Sequence, residues 1–177
     1  HHVSAALAGV YLALDEPKLA QATLETVLSP QTPMDTVGKR CCWARWAQLT
    51  LAKGDPALAL DITERLIASA PGLAPVRVIT FLWKLKGEVL AATGATENAC
   101  SFLRAALENA RATGERFLLW HIHASLGRLY HTMGHQEAAE KESSAARALI
   151  DALAATIPNE ALKHGFRQGA YNTLDLG

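Results

Sequence analysis

Two histidines on one helical face can hold a metal, so the histidines are read first. His131 and His135 are four apart, and His121 and His123 are two apart. A pair at i, i+4 on one helix can bind zinc. Gly134 stands between His131 and His135, however, and a helix break there spoils the geometry. His121 and His123 point about 200° apart around a helix. No Cys-x-x-Cys or His-Glu-x-x-His stands nearby, so no metal and no cofactor is expected. Val37-Gly38-Lys39-Arg40 is a faint version of a phosphate-binding loop. Pro33 takes the place of its upstream glycine and Arg40 that of its Ser or Thr. Cys41 and Cys42 have no histidine near them in sequence, and there is no Gly-x-Ser-x-Gly elbow. The chain reads as a non-enzyme.

Composition narrows the remaining classes. Half of the 177 residues are apolar, which excludes a disordered chain. The 17 basic and 17 acidic residues cancel, which argues against direct nucleic-acid contact. No apolar run is long enough to span a membrane. Three cysteines, two of them adjacent, make a poor disulfide framework and fit a reducing, cytoplasmic setting. The chain opens without Met or a charged leader and reads as helix by Val3, so a fragment of a larger protein is expected. His1 and His2 are compatible with a tag remnant.

Helices must position whatever these residues do. The stretches between the prolines are rich in Ala, Leu, Glu, Arg and Lys, the strong helix formers. Pro17, Pro30, Pro33, Pro56, Pro71, Pro75 and Pro158 all fall where helices begin or the chain turns. Val76-Arg77-Val78-Ile79-Thr80 has strand propensity, but its setting makes it the first turns of a helix. No hairpin signal appears. The expectation is an all-α chain.

The turns recur. Segments beginning at Asp15, Gly54, Gly94 and Gly134 each read as a turn followed by the first turn of a second helix ending in Ala20, Ala59, Ala99 or Ala139. Seven residues before each turn stands Ala8, Ala47, Gly87 or Gly127. Two antiparallel helices approach closely only where side chains are small, so these residues should face the alanines across a hairpin. The turn glycines end the first helix in a left-handed conformation, and Asp15 is tolerated in that role. Arg104 and Glu108, and Glu137 and Lys141, are spaced as helical ion pairs.

Leu126-Gly127-Arg128-Leu129-Tyr130 with Gly134, Ala139 and Ala146 resembles the tetratricopeptide repeat. Trp83, Gly87, Gly94, Ala99, Leu103 and Ala106 resemble a second copy, and Trp43, Ala47, Gly54, Ala59 and Pro71 a third. Leu7, Ala8, Tyr11, Ala20 and Leu24 resemble a degenerate first. The resemblance covers about residues 3–150, with a period near 40 instead of about 34. A HEAT-type array is the alternative that the longer period fits. Such lengthened repeats are similar to those in the C-terminal regions of large bacterial signalling ATPases, both LuxR-type regulators of the maltose-activator kind and cyclase-linked ATPases.

The resemblance implies a right-handed superhelix of about four antiparallel helical hairpins. The units are about 1–32, 33–71, 75–112 and 115–151, with a capping helix over about 158–168. It also implies a concave groove lined by first-helix residues, among them Gln48, Phe81, Lys84, Glu88, His121, Arg128 and His131. Trp43, Trp46 and Trp83 are packing anchors on this reading, and Trp120 is a candidate surface contact. The function implied is a protein–protein interaction scaffold, the C-terminal regulatory region of a signalling or transcription-regulating ATPase. Its partner would be a peptide or protein domain, including another domain of the same parent. The alternative is an effector-sensing domain with a small molecule near Lys84, Glu88, His121 and Arg128. Homo-oligomerisation through the array ends is a further expectation.

Overall fold

Five turns of one backbone design organise this chain. In the computed structural model, which describes residues 1–69 and 76–175 apart from the side chains of 76–78 and 175, Asp15, Gly54, Gly94, Gly114 and Gly134 all take positive φ, between 56° and 81°. At each, the turn residue donates its N–H three residues back and its successor donates five residues back. At the second turn these bonds are Gly54 N to Leu51 O at 3.0 Å and Asp55 N to Thr50 O at 2.9 Å. This is the Schellman pattern, which satisfies the last carbonyls of a helix and reverses the chain. Four of the turns lie where the repeat predicts them. Gly114 is an additional one, between units, that the repeat did not single out.

Among the described residues the elements are α1 (His2–Ala13), α2 (Pro17–Glu25), α3 (Val37–Ala52), α4 (Pro56–Ala68), α5 (Val76–Ala92), α6 (Thr96–Thr113), α7 (Arg116–Thr132), α8 (Gln136–Ala154) and α9 (Glu160–Asp175), with no strand. Pro17 and Pro56 open α2 and α4, and the Asp55 side chain caps α4 by accepting from Leu58 N at 3.0 Å. The β-branched run from Val76 does begin a helix. Pro71 and Pro75 lie outside the described residues.

The chain packs as two compact units, His1–Ala95 and Thr96–Gly177. In the first, α3 packs against α1, α2, α4 and α5. Ala8 and Ala20 are fully buried in one cluster with Leu24, Cys42 and Leu49. Ala47 and Ala59 are fully buried in a second cluster with Trp43, Ile62, Leu66, Leu82 and Leu85. The predicted pairing of small residues across a hairpin therefore holds here. Arg40, 1% exposed, donates to Leu66 O (2.9 Å) and Ser69 Oγ (2.7 Å) at the C-terminal end of α4. It is part of the packing, not of a phosphate loop.

In the second unit α7 packs against α6 and α8, and α9 against α8. A Cβ on Gly127 would come within 3.0 Å of Ser143 Oγ and 3.5 Å of Ala139 O, so α7 and α8 approach at the predicted notch. Three expectations need correction. The last helix is longer than 158–168, because Phe166, Ala170 and Leu174 continue one apolar stripe against Trp120 and Ile150. Trp120 is 3% exposed and so is no surface contact; α8 and α9 cover it. Arg104, spaced to pair with Glu108, instead donates to Tyr130 Oη at 2.7 and 3.1 Å.

Candidate functional site

The seven groove residues fall into two sets, one per unit. Gln48, Phe81, Lys84 and Glu88 belong to the first unit, on α3 and α5. His121, Arg128 and His131 belong to the second, on α7.

Lys84 is buried, at 6% exposure, and bonds Glu88 Oε1 at 2.6 Å one turn along α5. Its charge is spent inside its own helix. In the second unit His121 stacks on the Trp120 indole, ring centroids 3.5 Å apart, with the edge of Phe117 5.1 Å away. Arg128 is half-buried and donates to Thr173 O of α9 at 3.3 Å, so it ties the last helix to α7. His131 is exposed near the end of α7.

Gln48 and Phe81 are brought together by a residue that helical position did not single out. Arg45 lies half-buried between α1, α3 and α5. Its Nη1 donates to Gln48 Oε1 at 2.6 Å, and its guanidinium carbon sits 5.1 Å from the centre of the Phe81 ring. A Cβ on Gly9 of α1 would stand 3.0 Å from that carbon, so the absence of a side chain at Gly9 is what lets the cation lie against α1. Burial, the larger effect, draws the guanidinium below its ordinary value, and the Cys41 sulfur opposes the shift. No carboxylate pairs with it among the described residues. The result is a guanidinium held on three sides, with Nε and Nη2 given no acceptor among the described residues.

Helical phase placed Gln48 on this face but excluded Arg45, three residues earlier. A long side chain bridges that offset. Gly9, directly opposite on α1, was the available sequence clue.

Other chemistry is sparse. Burial raises the Cys41 and Cys42 thiols, and Cys42 donates to His1 O at 3.1 Å. All three cysteines are free. His123 and Glu142 form an enclosed pair at 2.5 Å between α7 and α8. Among the described residues no three His, Cys, Asp or Glu side chains gather as a metal site, and no helix is long and apolar enough to cross a membrane. No protein-family model matches the chain, and no curated protein matches it.

Proposed function

We propose that this chain is a non-catalytic scaffold for protein–protein interaction, in which the first helices α1, α3 and α5 receive an acidic segment of a partner. The observation that carries the reading is Arg45, a half-buried cation with no carboxylate partner among the described residues. Desolvating a charge is costly unless it is paired. A carboxylate reaching Nε and Nη2 would supply the missing partner and gain a two-pronged bond. Phe81 and Gln48 already hold the guanidinium in place, so little side-chain freedom is lost on binding.

The finer architecture belongs to the same proposal. The hairpins stack as tetratricopeptide-like units of a right-handed superhelix, with first helices on the concave side and α9 as the terminal cap. The resemblance to lengthened repeats supports a place as the C-terminal regulatory region of a bacterial signalling or transcription-regulating ATPase. Another domain of that parent would then supply the acidic segment.

Fluorescence anisotropy with acidic, neutral and basic decapeptides tests this. The acidic peptide should bind tightest and weaken with added salt. Arg45→Gln should erase its advantage while leaving the circular dichroism spectrum unchanged. Equal binding of acidic and basic peptides to the wild-type chain would end the reading.

A further inference from the structure

The second helix of the first hairpin stops early. α2 runs for 9 residues, whereas α4, α6 and α8 run for 13, 18 and 19. The chain then leaves through Ser29 and Pro30 instead of continuing along α4. Beside this connection lies a cavity of about 430 Å³. Leu28 and Pro30 of the connection, Trp43 and Trp46 of α3, and Leu58 and Ile62 of α4 make its apolar walls, with Glu25, Ser29 and Arg65 as its polar groups.

The cavity is built, not a loose gap. Trp43 Nε1 donates to Thr32 O at 3.1 Å, which pins the connection to α3. Ser29 and Thr32 close a turn on themselves, with Thr32 N to Ser29 O at 2.9 Å and Ser29 N to Thr32 Oγ1 at 2.8 Å. Leu58, a large apolar side chain at the wall, remains 43% exposed.

Its lining carries one carboxylate and one guanidinium. Arg65 is paired with Asp61 on its own helix at 3.4 Å. Glu25 is exposed and accepts from the Gln21 amide at 2.7 Å, whose oxygen accepts from Lys53 Nζ at 2.8 Å; among the described residues no cation bonds Glu25 directly. A carboxylate with no directly bonded cation, on a wall shared with two indoles, suits an organic cation. The carboxylate attracts the charge, the faces of tryptophan rings attract it further, and the apolar walls take the body of the molecule. A volume of about 430 Å³ lies within the range of small-molecule pockets, about 300–1,000 Å³.

We infer that this cavity is a binding site for a small apolar molecule bearing a protonated amine, its body against Trp43, Trp46 and Leu58 and its amine at Glu25. The site lies on α2, α3 and α4 and uses none of the residues of the acidic-peptide reading. Either can fail while the other stands.

The test uses the whole chain and three matched probes: 4-phenylbutylamine, 4-phenylbutanol and 4-phenylbutyrate. Their binding is read from the indole N–H signals of Trp43 and Trp46 in ¹H–¹⁵N spectra, assigned through Trp46→Phe. The amine should shift these signals saturably, the alcohol should bind about fivefold more weakly, and the acid more weakly still. Glu25→Gln should bring amine and alcohol to equal affinity. Leu58→Trp, which fills the space from an exposed position, should abolish binding with helix content unchanged. Absence of a saturable shift with the amine, equal affinity for all three probes, or undiminished binding to Leu58→Trp would each overturn the assignment.

Discussion

Gly54→Ala and Gly165→Ala are one chemical change made at two exposed glycines. At both sites a new Cβ would find nothing within 4 Å, so packing contributes nothing to either outcome. Gly54 ends α3 at φ 81°. An L-residue held left-handed costs about 1–2 kcal/mol, and the stiffer unfolded chain returns about 0.4–1 kcal/mol. The net is a loss of about 1 kcal/mol. Gly165 lies inside α9 without a positive φ, and alanine there gains about 0.8–1.0 kcal/mol of helix propensity. For a chain of this size such changes move Tm by about 2–4 °C, in opposite directions. Thermal melts by circular dichroism give the signs. Helical arrays can unfold piecewise, so amide exchange should be read locally as well. The Asp55 N–H, bonded to Thr50 O, should exchange faster in Gly54→Ala, and the α9 amides slower in Gly165→Ala. A Gly54→Ala protein as stable as wild type would refute the argument that the left-handed turn is imposed by helix packing. Asp15→Gly should have the opposite effect to Gly54→Ala, since it relieves a non-glycine residue at φ 56°.

Three further outcomes follow from the interior. Arg40→Ala strips Leu66 O and Ser69 Oγ of a charged donor and leaves a void, and should cost about 3 kcal/mol in urea unfolding. Arg40→Met fills the void without burying a charge and should cost less than half as much. Trp120→Phe should lower stability by under about 1.5 kcal/mol and Trp120→Ala by about 3–5, because the Trp120 indole N–H is already buried without an acceptor. Burial raises the Cys42 thiol, so the folded state keeps its proton to higher pH than the unfolded chain. That contribution is whole below the ordinary thiol value and fades as pH rises through it toward the raised value. Melts from pH 7 to pH 10 should therefore fall more steeply for wild type than for Cys42→Ala, and parallel curves would dismiss the effect.

The helices and their turns were legible because their causes are local. Proline at a first helical position, glycine at positive φ and the small-residue notches at Ala8, Ala47 and Gly127 each act within a few residues of chain. The length of α9 was less legible. The expected end near residue 168 falls short, and the packing of Phe166, Ala170 and Leu174 on Trp120 and Ile150 accompanies the helix beyond it. Gln48 and Phe81 do share a neighbourhood, but Lys84 and Arg128, which read as free charges, are held by Glu88 and by Thr173 of α9.

By itself the sequence determined that this chain is helical, where it reverses, and which small residues let its helices meet. Each of these depends on φ preferences and on spacing along one helix. Only the tertiary structure decided which charges have partners. Among the described residues Arg45 meets Gly9, Gln48 and Phe81, drawn from three helices, and no carboxylate. The cavity beside Trp46 has the same kind of origin. Its walls come from the end of α2, the connection after it, α3 and α4, and a gap between elements belongs to none of their sequences.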